Sequence, residues 1–153
     1  MKKLLQMLFV CGFLFVAGGA QAQFRSVPAA VTDSFKARYP SATAVSWSDK
    51  MLAGAFVATF TMDKDKYTAR FNNEGVWQYS TKKITQNDLP APVKDGLAKS
   101  KYAGSEWEVK EVTMKFLPGT VVQYEILVKK SGINQKHLLF SSEGQLLKDS
   151  STI

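Results

Sequence analysis

The chain has 153 residues, 45% of them hydrophobic, with a formal net charge of +7 and a single cysteine. That length is enough for one domain with a core of its own. Its lysines are scattered among aspartates and glutamates with no arginine-rich stripe. This excludes a nucleic-acid footprint and suits solubility and an acidic partner.

Residues 1–22 read as a signal peptide. Lys2 and Lys3 supply the positive start, residues 4–16 an apolar stretch too short to span a bilayer comfortably, and Ala20 and Ala22 the small residues of a cleavage site before Gln23. The alternative, an uncleaved anchor, lacks stop-transfer charges. Cys11 lies inside the apolar stretch behind Val10, where a lipoprotein signal would want a small residue, so it leaves with the leader. The expected mature chain is periplasmic or secreted, free of cysteine and held by its core alone. No second apolar segment is long enough to cross a membrane.

Residues 23–153 read as one domain made of two copies of one unit, about 27–84 and 89–153. Copy one opens on Ser26, Val27 and Pro28, a cap followed by a proline in the first helical turn. Val31 and Phe35 recur at helical spacing, Ala30 and Tyr39 fill the same face, and Pro40 ends the helix. Copy two repeats this with Asp88 as the cap, then Leu89-Pro90, Val93, Leu97 and Tyr102. Gly96 is a weak spot in that helix, costing about 1 kcal/mol relative to alanine.

Strands follow in each copy. Val45-Ser46-Trp47 corresponds to Trp107-Glu108-Val109. Phe56, Ala58 and Phe60 alternate with polar residues, as do their counterparts Val122, Tyr124 and Ile126. A turn follows, Asp63 to Lys66 in copy one and Lys130 to Asn134 in copy two. The third strands, Tyr67 to Phe71 and Lys136 to Phe140, run into hairpins whose Glu74-Gly75 and Glu143-Gly144 supply a positive φ. The last strands are Val76 to Tyr79 and Gln145 to Lys148. Only Thr85-Gln86-Asn87 joins the copies, so the two halves are expected to share one continuous antiparallel sheet with both helices on one face, an α+β fold.

The opposite sheet face then looks outward. The alternation puts Val57, Thr59, Thr68, Arg70 and Gln78 there from copy one, and Val121, Gln123, Glu125, His137 and Leu139 from copy two. Such a mixture suits a contact surface; its plain alternative is a solvated face. Trp77 and Tyr79 become binding anchors if the last strand of copy one exposes them. Otherwise, Trp77 joins Trp47 and Trp107 in the core.

The Val-Pro or Leu-Pro start, the short helix ending in Tyr, the strand pair and the Phe-x-x-Glu-Gly hairpin together resemble the PepSY-like domain over the whole mature chain. In exported bacterial proteins, those of the Bacteroidetes especially, that domain is described as beta-lactamase-inhibitor-like. The resemblance implies a helix-plus-sheet architecture similar to beta-lactamase inhibitor protein, which grips its enzyme with a concave sheet surface and a protruding hairpin loop. This chain departs from it in having no cysteine to brace the halves. No inhibitory loop matches residue by residue, so the likeness carries the fold and not the inhibition.

Catalytic chemistry finds little footing. His137 has no nucleophile motif beside it, and there is neither a zinc-ligand set nor a phosphate-binding glycine loop. Asp63 and Asp65 offer two carboxylates at the spacing of the first Ca²⁺ ligands in loop sites. No glycine or distal glutamate completes such a loop, and a solvated hairpin tip explains the pair as well. The resulting expectation is a non-enzymatic module, without a cofactor unless Ca²⁺ binds that turn. It would hold an unidentified protein of the cell envelope through Thr59, Thr68, Arg70, Gln78, Gln123, Glu125, His137 and Leu139 and the hairpin tips. The alternative is an envelope sensor of a small ligand or of calcium, using the groove between the copies or the Asp63–Asp65 turn.

Overall fold

A computed structural model describes residues 26–130 and 133–151. The signal-peptide segment, and Ser131 and Gly132 of one turn, lie outside the described residues. The order is helix α1 (Ala29–Arg38), strands β1 (Thr43–Lys50), β2 (Ala55–Met62), β3 (Asp65–Asn72) and β4 (Trp77–Ile84), then helix α2 (Ala91–Ala98) and strands β5 (Glu108–Leu117), β6 (Val121–Lys129), β7 (Gln135–Ser141) and β8 (Leu146–Ser151). The eight strands form one antiparallel sheet in chain order, with β4 pairing directly to β5 across the α2 insertion. The fold is α+β.

Each helix buries two residues one turn apart. Val31 and Phe35 of α1 meet Phe56, Ala58, Phe60, Ala69 and Phe71; Val93 and Leu97 of α2 meet Tyr124, Ile126, Val128, Leu138 and Phe140. The cross-strand row Ala58, Ala69, Ser80, Phe116, Val122 carries one sheet face from the first cluster to the second, so both helices lie on the same side. The first cluster is aromatic: Phe35 meets Trp47, Phe60 and Phe71 edge-on with centroids 5.3, 5.0 and 6.2 Å apart.

Several sequence expectations shift by a few residues, each for a physical reason. Neither Ser26 nor Asp88 caps a helix. Pro28 and Pro90 occupy the N-cap positions, and no side chain bonds there. The Asp88 carboxylate instead accepts from the backbone N–H of Thr85 at 2.9 Å and its hydroxyl at 2.7 Å, closing a 3-10 turn over Gln86–Asp88. Ala30 is exposed rather than facing the core. Strand β5 runs well past Trp107–Val109, because a register shift between Val109 and Glu111 breaks the period-two signal. The second-half counterparts move by one pair: Phe56 sits opposite Phe71 and Tyr124 opposite Phe140, so Tyr124 stands where Phe56 does and Ile126 where Ala58 does. The Asp63–Lys66 turn contracts to two residues, Asp63 and Lys64, both at positive φ, with Met62 and Asp65 already paired.

The hairpin glycines have a second duty besides their positive φ. A Cβ on Gly75 would stand 2.4 Å from the Ala30 carbonyl oxygen in α1, and one on Gly144 only 2.0 Å from the Pro92 carbonyl in α2. Gly96 completes the second contact, since its Cβ would meet the Gly144 carbonyl at 2.0 Å. Each β-hairpin tip is thus pressed against the helix that covers its half. The propensity lost at Gly96 is the condition of that approach. Gly96→Ala is therefore expected to destabilise the protein by about 1 to 3 kcal/mol in urea unfolding, where helix propensity alone predicts a gain of about 1 kcal/mol. An unchanged or raised midpoint would show that the hairpin tip does not bear on α2.

Candidate functional site

The open face is built from alternate residues of the central strands. Ser46, Thr59, Thr68, Thr81, Lys115, Gln123 and Ser141 follow one another across the sheet as register partners, a continuous polar row. Thr68 and Thr81 bond through their hydroxyls at 2.6 Å. In the adjoining row Val57, Arg70 and Tyr79 are partners, and a bulge between Arg70 and Phe71 turns Gln78 outward beside them. Arg70 Nε donates to Gln78 Oε1 at 2.7 Å and Nη2 to the Ala53 carbonyl at 3.3 Å. Lys115 Nζ lies 4.4 Å from the centroid of the Tyr79 ring. Tyr79 is thus a half-buried ring flanked by two cations, neither of which has a carboxylate partner among the described residues. On the second half, His137 Nδ1 donates to Glu125 Oε1 at 2.7 Å, and Leu139 stands between Glu125 and Lys148.

Of the two anchor candidates, Tyr79 lies on this face and Trp77 does not. The same bulge keeps Trp77 in register with Phe71 on the helix side, where it packs against the first core. There its ring lies 3.4 Å under the Arg38 guanidinium. The Asp63–Asp65 turn is split as well, because the Asp65 carboxylate ion-pairs with Lys82 at 2.5 Å. Among the described residues no group of three or more His, Cys, Asp or Glu side chains is placed to hold a metal. Millimolar Ca²⁺ is expected to leave the melting temperature unchanged; a rise would mean that the turn rearranges around the ion.

A groove of about 1140 Å³ opens on the helix side between the two cores, at the junction of the copies, where the alternative reading of the sequence expects a ligand groove. The end of α1 contributes Arg38 and Tyr39, the first half of the sheet Met62, Tyr67, Val76, Trp77 and Ser80, and the second half Phe116, Leu117, Val121 and Val122. Its rim exposes Val76 at 59% and Val121 at 47%. Ile84 does not line the groove but borders a separate depression with Lys82, Lys83, Thr85, Asp88 and Met114. At the groove's floor Ser80 is 2% exposed. Its Oγ accepts from Trp77 Nε1 at 2.7 Å and bonds Tyr39 Oη at 2.5 Å.

The second half holds the matching tie in another form. Tyr102 ends the α2 region as Tyr39 ends α1. Asp149 pairs with Leu138 as Ser80 pairs with Ala69, and each lies five residues beyond its hairpin glycine. Tyr102 Oη donates to Asp149 Oδ2 at 2.5 Å, and Lys101 Nζ reaches the same oxygen at 2.9 Å. These donors, the tyrosine hydroxyl first, hold the Asp149 carboxyl below the usual carboxylate range; burial and then the carboxylate push the Tyr102 hydroxyl up. The Ser80–Asp149 correspondence was legible in the offset from the glycines, had the last strands been aligned from there.

A carboxyl held below its unfolded value contributes stability above that value and loses it as pH falls through the folded one. The wild-type protein is therefore expected to lose stability between about pH 5 and about pH 2 more steeply than Asp149→Asn, as followed by urea midpoints. Parallel acid limbs would mean that the Tyr102–Asp149 bond contributes nothing.

No helix among the described residues is long and apolar enough to cross a membrane. Residues 55–148 match the family described as "Putative beta-lactamase-inhibitor-like, PepSY-like". A DUF2874 family protein from Bacteroides ovatus superposes with a TM-score of 0.75 at 27% identity, over 82% of this chain and 88% of that one. A BLIP-like protein from Bacteroides fragilis gives 0.74 at 24% identity, over 84% and 89%. A Bacteroides eggerthii structure titled "putative periplasmic proteins" gives 0.73 at 24%, over 82% and 89%. No curated protein matches the chain.

Proposed function

The chain belongs to the PepSY-like, beta-lactamase-inhibitor-like family, and from that premise we propose that it is an exported, non-enzymatic module that holds an acidic protein partner on its open sheet face. The family is inhibitor-like rather than catalytic in kind, and a structural neighbour is described as periplasmic. We read its two helix-plus-four-strand halves as tandem repeats, one carrying most of the contact chemistry. The observation that carries the reading is Tyr79 between Arg70 and Lys115, beside Gln78 and the polar row ending in Gln123 and Ser141.

Tyrosine and arginine are the residue types that dominate binding energy at protein interfaces, and a large ring costs little conformational entropy to immobilise. Two cations held against an aromatic ring and an amide, with no carboxylate partner among the described residues, favour a partner bearing carboxylates. Thr59, Thr68, Glu125, His137 and Leu139 extend the face on either side. Thr68, bonded to Thr81, and Glu125 and His137, bonded to each other, suit complementarity more than energy.

The test is capture from a periplasmic extract of the source organism, comparing wild type with Arg70→Asp and Gln123→Asp. Each reversal is expected to weaken retention of an acidic partner at least tenfold, the arginine change more, with retention by wild type falling as salt rises. A partner retained equally by both variants would sink the face.

A further inference from the structure

The groove on the helix side offers chemistry unrelated to the open face, and the second half of the molecule shows what it lacks. Tyr102 and Lys101 converge on an internal carboxylate, Asp149. Tyr39 and Arg38 stand at the matching positions of the first half, but the matching strand residue there is Ser80. Arg38 stacks on Trp77 and has no carboxylate partner among the described residues.

Counting protons sharpens the difference. Trp77, Ser80 and Tyr39 bring three donor protons and form two bonds with one another. One proton is left over. Ser80 is almost wholly buried, so leaving its proton unpaired is the costlier choice. Run from Trp77 to Ser80 to Tyr39, the chain pairs the buried serine proton and leaves the Tyr39 hydroxyl, on the groove's lining beside Arg38, available to a ligand.

We propose that this groove binds a long-chain carboxylic acid, the carboxylate at Tyr39 and Arg38 in the role that Asp149 plays for Tyr102 and Lys101. The alkyl chain would lie along Met62, Tyr67, Trp77, Phe116 and Val122. The one cationic side chain of the lining, Arg38, stands beside Tyr39 at the end of α1, and the rest of the lining is mostly apolar, with Thr120 and the Tyr67 hydroxyl as its other polar side-chain groups besides Ser80. A peptide occupant would fit worse. The backbone groups of β4, β5 and β6 along the floor are engaged in the sheet ladder, so a peptide's amides would be desolvated without partners.

The experiment is calorimetric titration of the mature protein with palmitate below its micellar concentration, and with hexadecanol, which has the chain but no charge. Palmitate is expected to bind saturably and at least tenfold more tightly than hexadecanol. Arg38→Ala and Tyr39→Phe should each cut palmitate affinity about fivefold or more and leave hexadecanol unchanged. Ser80→Asp installs the second half's carboxylate in the first, and should abolish the palmitate preference while hexadecanol still binds. Should that variant fail to fold, the Arg38 and Tyr39 changes decide alone. Equal binding of the two probes, palmitate binding indifferent to both head-group changes, or saturable binding only of a peptide with an apolar C-terminus would each overturn the proposal. The site lies on the face opposite Arg70 and Gln123, so neither outcome bears on partner capture by the open face.

Discussion

Two short helices have to cover one wide sheet. Eight strands at about 4.8 Å spacing make a sheet about 34 Å across, while each helix with its side chains is about 10 Å thick. With ten and eight residues, α1 and α2 each sit over their own four strands. The centre, where β4 meets β5, is left without a helix. From that shortfall follow the two separate cores, the groove between them, and a sheet whose other face is covered by no helix or strand among the described residues. The hairpin glycines tighten the arrangement by fixing each helix to its own hairpin tip, so neither helix is free to slide inward over the gap.

The absence of cysteine among the described residues makes the cores carry the stability. The first does so with aromatic rings packed edge-on, Phe35 at the hub. The second relies on aliphatic residues from β6 and β7, with Tyr102 and Trp107 meeting at 5.1 Å beside them. Truncating Phe56 or Phe140, both fully buried, would cost several kcal/mol in either half. The surface ion pairs such as Lys99–Asp95 add little by comparison, because both partners remain well exposed.

Residues whose period-two or helical spacing is unbroken were readable in advance. Val31, Phe35, Val93 and Leu97 bury as their spacing requires, and Phe71 and Phe140 lead into their glycine hairpins. Reading failed where one extra residue enters a strand. The irregularity near Lys110 hid most of β5, and the one at Gln78 sent Trp77 inward and left Tyr79 outward. A bulge costs a strand nothing in composition, so no residue type marks it, yet it inverts the facing of everything beyond it. Thr59, Thr68, Arg70, Gln123, Glu125, His137 and Leu139 follow the alternation because β2, β3, β6 and β7 are regular over that span, whereas Gln78 sits at the β4 irregularity and Val121 lines the groove. The duplication pointed to a groove between the copies, but its lining was not legible: it is a gap between elements, and alternation within strands says nothing about what fails to cover them.

Solvent explains why one position holds serine in one half and aspartate in the other. Asp149 lies on β8, an edge strand, where its carboxylate stays hydrated while it accepts from Tyr102 and Lys101. Ser80 lies on β4, paired on both sides and under the first core's rim, where a permanent carboxylate would pay a desolvation cost of several kcal/mol. Serine keeps the tyrosine tied to the sheet without that charge. The tie is then weaker, since a neutral bond contributes roughly half what a charge-assisted one does. It also leaves the helix end with an arginine that has no carboxylate partner among the described residues. The edge strand uses its polar chemistry to hold α2 in place, whereas the central strand leaves Arg38 facing the groove between the two cores.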